Sequence, residues 1–204
     1  LRAQLLPGQR LLGIDPGSKS IGLALSDVSL MLASPHSTLR RAKLAGLDVG
    51  ESRSRLVARR CRVEDVQGSG VLVAAGNASL QDCVIAGARY DAITVREGGR
   101  VSVLGGELSG ARGAGVSVET EARANVRNTT IGEVTRGVLV EVGARAGLES
   151  VQVAARETSL TVFGTLAMLD CMLRGAAHLQ LEVHGGRATA VRTRFLEAVD
   201  ISVA

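Results

Sequence analysis

Apolar residues recur along this chain as short alternating triads. They are Leu47-Asp48-Val49, Val71-Leu72-Val73, Ile93-Thr94-Val95, Val116-Ser117-Val118, Val138-Leu139-Val140, Leu160-Thr161-Val162, Leu179-Gln180-Leu181 and Ile201-Ser202-Val203. Their start-to-start spacings are 24, 22, 23, 22, 22, 19 and 22. Apolar, variable, apolar is the periodicity of a strand with one buried face. A second pattern precedes each triad, with apolar or small residues at positions x, x+2, x+5 and x+7. It runs through Ser37-Leu39-Ala42-Leu44, Leu56-Ala58-Cys61-Val63, Ala78-Leu80-Cys83-Ile85, Val101-Val103-Gly106-Leu108 and Ala124-Val126-Thr129-Ile131. Ala146-Leu148-Val151-Val153, Leu166-Met168-Cys171-Leu173 and Ala188-Ala190-Thr193-Phe195 continue it.

A unit this short cannot bury its own apolar face, so units must stack. The pattern predicts an all-β parallel solenoid of about eight coils over residues 37–204, roughly 38 Å long at strand spacing. Leu80, Val103, Val126 and Leu148 are expected to form one inward column. Gly76, Gly98, Gly99, Gly143, Gly164, Gly185 and Gly186 follow triads, where corners call for positive φ. The regular Leu and Asn spacing of a leucine-rich repeat is absent.

Composition agrees with a narrow interior. The 204 residues include 25 Gly but only 1 Tyr, 2 Phe and no Trp, so aliphatic residues and Ala fill the core. No apolar run approaches the roughly 18 residues of a membrane-spanning helix. The net charge of +4 is uneven. Positive charge gathers between Arg40 and Arg62, at Arg40, Arg41, Lys43, Arg53, Arg55, Arg59, Arg60 and Arg62. Such a stretch is a possible nucleic-acid contact or a solvated face. Three cysteines make no disulfide framework. Cys61 and Cys83 fall in one inward column of adjacent coils, where thiols pack as small hydrophobes. LRAQLLPGQR lacks the continuous apolar core of a secretory signal.

Stacking turns chemistry into columns. The outward triad positions read Asp48, Leu72, Thr94, Ser117, Leu139, Thr161, Gln180 and Ser202, with a single acid at one end. A second outward column reads Arg60, Asp82, Gly105, Asn128, Ser150, Asp170, Arg192. Its two carboxylates lie four coils apart, about 19 Å, too far for paired acid–base work. His36, His178 and His184 form no metal-ligand cluster. Arg55, Asn77, Arg100, Arg123, Arg145, Thr165 and Arg187 each precede the first apolar position of a coil. Arg100, Arg123 and Arg145 would stack as like charges. Glu119 and Glu141 are expected near the same corner, either neutralising a surface ladder or leaving an arginine strip that reads an acidic polysaccharide.

The repeats resemble the right-handed parallel β-helix family, relatives of the pectate lyases, over residues 37–204. Residues 11–41 read LLGIDPGSKSIGLALSDVSLMLASPHSTLRR. Through Gly13, Asp15, Gly17, Lys19, Gly22, Ala24, Ser26, Asp27, Ala33, Pro35, Thr38 and Arg40 they resemble the start of the YqgF/RuvX family, linked to Holliday-junction resolution and ribosomal RNA precursor trimming. That resemblance implies an RNase-H-like beginning over residues 1–36, a three-stranded antiparallel meander. It makes Asp15 the first carboxylate of a magnesium-dependent nuclease site. The family's later acids have no counterpart after about residue 43. Ile21-Leu23-Ser26-Val28 also obeys the coil template, so one more irregular coil is the structural alternative.

The reading that follows is a non-catalytic solenoid scaffold or carbohydrate-binding module without a cofactor. A nuclease incomplete in this chain and a polysaccharide lyase or hydrolase with its active coils missing are the alternatives. The β-helix reading implies an extracellular or cell-surface setting, the nuclease reading a cytoplasmic one. Ile201-Ser202-Val203 is followed by no polar cap, which predicts end-to-end self-association or continuation into further coils.

Overall fold

The structure is a computed structural model that describes residues 12–16, 20–26, 29, 33–40, 45–175, 179–196 and 201–203. It divides into two compact units, Leu1–Lys43 and Leu44–Ala204. The described residues contain strands and no helix. Among the described residues no helix is long and apolar enough to cross a membrane.

The first unit holds a three-stranded antiparallel sheet. Strand Leu12–Pro16 pairs with Ser20–Ser26, which pairs in turn with Ala33–Arg40. This is the meander implied for the N-terminus. It extends past the expected boundary: Ser37 and Leu39 pair with Leu23 and Ile21, so they form part of a hairpin rather than a first coil. The same pairing removes the alternative in which Ile21 and Leu23 begin a coil. Leu39 alternates with its neighbours in either setting, which is why the coil template ran one unit too far.

The second unit is a parallel solenoid with three strands per turn. One face carries Arg55–Arg59, then residues 77–81 and 100–104, then Arg123–Arg127, Arg145–Glu149, Thr165–Leu169 and Arg187–Val191. A short second face follows, at residues 62–64, 83–86, 106–109, 130–132, 152–154, 172–174 and 194–195. The triads form the third face. Among the described residues this gives seven turns, with an eighth triad strand, Ile201–Val203, rather than eight full coils.

Registers follow the sequence pattern. Leu80 pairs with Val103, Val103 with Val126 and Val126 with Leu148, and all four are at most 3% exposed. On the short face Ile85, Leu108, Ile131, Val153 and Leu173 stack with at most 1% exposure. Each such aliphatic side chain contributes about 1.5–3 kcal/mol by leaving water, and the stack makes that gain continuous along the axis.

One triad departs from the reading. Leu160 pairs with Leu181 and Val162 with Val183, so the seventh triad is Leu181-Glu182-Val183. Gln180 is buried instead, and its amide Nε2 donates to the Leu196 carbonyl. Leu179, Leu181 and Val183 alternate in either phase, so periodicity alone could not choose. The shift places Glu182, rather than Gln180, on the outward column.

The corners are built in two ways. Gly98, Gly143 and Gly185 do have positive φ. Gly76, Gly99, Gly164 and Gly186 are not in that region; there the previous coil comes too close for a side chain. A Cβ on Gly99 would sit 2.6 Å from the Val73 carbonyl oxygen.

Candidate functional site

The column of Arg60, Asp82, Gly105, Asn128, Ser150, Asp170 and Arg192 is structural. Every member is left-handed, with φ between 48° and 72°, and forms the one-residue corner between the first two faces. L-residues enter this region at a cost. Hydrogen bonds around the corner offset it. The next residue is often Cys or Thr, and its side chain donates to the carbonyl on the far side of the corner. Cys61 reaches Arg59 (3.4 Å), Cys83 Gln81 (3.4 Å), Thr129 Arg127 (2.8 Å), Cys171 Leu169 (3.3 Å) and Thr193 Val191 (3.3 Å). The cysteines are thus corner donors as well as small hydrophobes. Asp170 is clamped by Arg192 through two contacts of 2.6 and 2.8 Å, which hold its carboxyl below the usual aspartate range.

The arginine column is assembled as read. Arg100 pairs with Arg123 and Arg123 with Arg145, flanked by Asn77 and Thr165, and all three guanidinium-bearing residues are exposed. Parallel pairing sets them about 4.8 Å apart along the axis. Their backbones are pinned by N–H bonds to Gly76, Gly99 and Ala122 carbonyls at 2.9–3.1 Å. Among the described residues none of the three forms an ion pair.

Among the described residues neither Glu119 nor Glu141 forms an ion pair with the column. Glu119 follows its triad beside Glu141 and Arg96 in neighbouring coils. Burial first, and then the Glu141 charge, push the Glu119 carboxyl above its ordinary range, against the pull of Arg96.

These acids stand over the outer side of the triad face, where sequence columns had shown little chemistry. A cleft of about 490 Å³ opens there, lined by Arg136, Leu139, Glu141, Thr161, Phe163, Glu182 and His184, with Thr120 and Val142 at its edge. Leu139, Thr161 and Glu182 form its floor as successive outward triad residues. Glu141, Phe163 and His184 follow their triads as one wall. The Phe163 and His184 rings stack with centroids 4.9 Å apart and planes 17° from parallel. His184 Nε2 lies 2.7 Å from Glu182 Oε1, and the Thr161 hydroxyl donates to the other Glu182 oxygen at 3.4 Å. The cleft thus offers an aromatic surface beside a fixed carboxylate–imidazole pair, with Arg136 among the lining residues.

Sequence columns place Leu139 and Thr161 here but neither Glu182 nor His184. His178 lies outside the described residues, and His36 stands in strand Ala33–Arg40. In the basic stretch, Arg53, Arg55, Arg59, Arg60 and Arg62 are exposed and Arg62 pairs with Glu64; Arg41 and Lys43 lie outside the described residues. Asp15 sits in strand Leu12–Pro16 opposite Gly22. Among the described residues no group of three or more His, Cys, Asp or Glu side chains could hold a metal ion. The described residues therefore do not supply the convergent carboxylates that a two-metal phosphodiester site requires.

A stacked parallel solenoid is a repeat scaffold, its surface chemistry set rung by rung. A model of the right-handed β-helix region matches residues 35–161, more than half of the chain, and the chain belongs to that family. Curated relatives match elsewhere in character. A Gluconacetobacter diazotrophicus protein described as a candidate pre-16S rRNA nuclease is 71% identical over 45 residues, covering 22% of this chain and 29% of the relative. One from Gluconobacter oxydans, described alike, is 56% identical over 66 residues, 32% of this chain and 38% of the relative. The chain thus spans well under half the length of these relatives. They support a YqgF/RuvX-like likeness over short segments. No solved structure matches the chain.

Proposed function

We propose that the solenoid is a non-catalytic scaffold that binds an acidic polysaccharide along Arg100, Arg123 and Arg145. The observation that carries this reading is three exposed guanidinium groups in register on adjacent coils, with no ion-pair partner among the described residues. A linear polyanion lying along the axis meets one fork-shaped donor per coil, and guanidinium groups bind carboxylates or sulfates bidentately. The cleft over the triads adds a ring surface, Phe163, and polar groups suited to a sugar unit.

Titration calorimetry with a polyuronate, and with a neutral polysaccharide of equal length, tests this. The triple alanine variant of Arg100, Arg123 and Arg145 should bind the polyuronate about 10- to 100-fold more weakly, at about 0.5–1 kcal/mol per exposed contact. Binding should also weaken with salt. Equal affinity of the triple variant and the parent would overturn the assignment.

The relatives support a second reading, a magnesium-dependent nuclease using Asp15 with acids from elsewhere. The scaffold reading expects this chain to leave branched DNA and ribosomal RNA precursors intact in magnesium. Cleavage that disappears in Asp15→Asn would replace it with the nuclease one.

A further inference from the structure

Cys61 and Cys83 hold equivalent corner positions in adjacent coils: the Val84 amide donates to the Cys61 carbonyl at 2.9 Å, and Arg62 pairs with Val84. Both thiols donate to carbonyls of the strand that precedes the Cys61 corner. Cys61 Sγ donates to the Arg59 carbonyl at 3.4 Å. Cys83 Sγ, besides its own corner bond, reaches across to the Ala58 carbonyl at 3.6 Å, the neighbouring peptide of the same strand in the coil of Cys61. Parallel strand spacing of about 4.8 Å falls inside the Cα separation that a disulfide spans. Cys171 lacks such a neighbour, because Val151 and Thr193 occupy the adjacent places in its column.

Exposure differs between the two. Cys83 is buried at 5%, whereas Cys61 is only partly covered and open to a reagent. Burial also pushes the Cys83 thiol up, which keeps it from reacting first.

We propose that Cys61 and Cys83 form a redox-active dithiol that a small disulfide oxidant, such as oxidised glutathione, closes into a bond between coils. The Cys61 thiolate attacks one glutathione sulfur, forming a mixed disulfide and releasing one glutathione thiolate. Cys83, deprotonated as it attacks, then bonds to the Cys61 sulfur and expels the second glutathione. Two protein thiols are oxidised and one glutathione disulfide is reduced to two thiols. The new bond joins the first turn of the solenoid to the second across a corner whose geometry already exists. This inference is independent of the polysaccharide reading.

The test equilibrates the whole protein with oxidised glutathione, blocks free thiols with a maleimide in denaturant so that buried Cys171 is reached, and maps peptides by mass spectrometry without reduction. The parent, with three free cysteines, should then take up one maleimide and yield a single cross-linked pair joining Cys61 to Cys83. Dithiothreitol added before the maleimide should restore all three sites. Cys171→Ser should behave as the parent at the corner, and Cys61→Ser should form no intramolecular cross-link. The proposal fails if the parent stops at a stable glutathione adduct, if the cross-link includes Cys171, or if Cys61→Ser loses thiols to the same extent. Should Cys61→Ser not fold, the peptide map of the parent decides alone.

Discussion

Changing Val126 to Asp should remove a large part of the stability of the solenoid, on the order of 3–5 kcal/mol. Val126 is fully buried, with Val103 before it and Leu148 after it in the same column. A carboxylate there has no partner in an aliphatic stack, so it must be buried charged or be protonated at a cost. Domains of this size are stable by only about 5–15 kcal/mol, so a loss of that size shifts the urea midpoint strongly. The neighbouring Asn125 is exposed, its side chain on the other side of the strand. Asn125→Asp should therefore stay within about 0.5 kcal/mol of the parent. Urea unfolding followed by far-ultraviolet circular dichroism distinguishes the two. Val126→Asp with an unchanged midpoint would mean that the strand register is wrong.

Gly106→Ala should destabilise the protein by about 2–4 kcal/mol. Gly106 follows the left-handed Gly105 and has φ 93° itself. A Cβ on it would fall 2.8 Å from the Cys83 nitrogen and closer still to the Cys83 carbonyl oxygen. Both atoms belong to the backbone of the preceding coil and cannot swing away. Gly132 gives the contrast: it lies outside the positive-φ region, and a Cβ there meets nothing within 4 Å. Gly132→Ala should be neutral or stabilise by up to about 1 kcal/mol, through a less free unfolded chain. Thermal unfolding of both variants checks the pair. Similar midpoints for the two would show that close approach does not govern this corner.

Much of the solenoid was legible because a parallel stack converts sequence spacing into spatial neighbours. Once Val103 and Val126 are in register, Arg100 and Arg123 must be too, so the arginine column followed from the core. The errors arose where alternation has no phase. Leu179-Gln180-Leu181-Glu182-Val183 reads apolar at every second residue, and only burial of Gln180 against the Leu196 carbonyl sets which leucine begins the triad. Leu39 misled in the same way, since antiparallel and parallel strands share one period.

The cleft was less legible for a different reason. Arg136, Phe163 and His184 come from three successive coils, and none is distinctive alone. The signal that could have found it was the interval of 19 residues, the shortest in the series. Moving that triad by two residues evens the spacing and brings Glu182 to the surface beside His184. The one-residue corners were hidden as well, because Arg, Asp, Asn and Ser occupy left-handed positions that composition assigns to glycine.

The matched backbone of successive coils makes the whole coil the natural unit of length change. Arg145 stands over Arg123, and Ala122 immediately precedes Arg123. Excising residues 123–144 would deliver Arg145 to the place Arg123 held, with the downstream ladder intact but displaced by one rung. An insertion or deletion of any other size must be absorbed in a corner or it throws every later side chain out of its column. Lineages of such a protein can therefore be expected to differ by whole turns, and each turn gained or lost lengthens or shortens the arginine column and the cleft together.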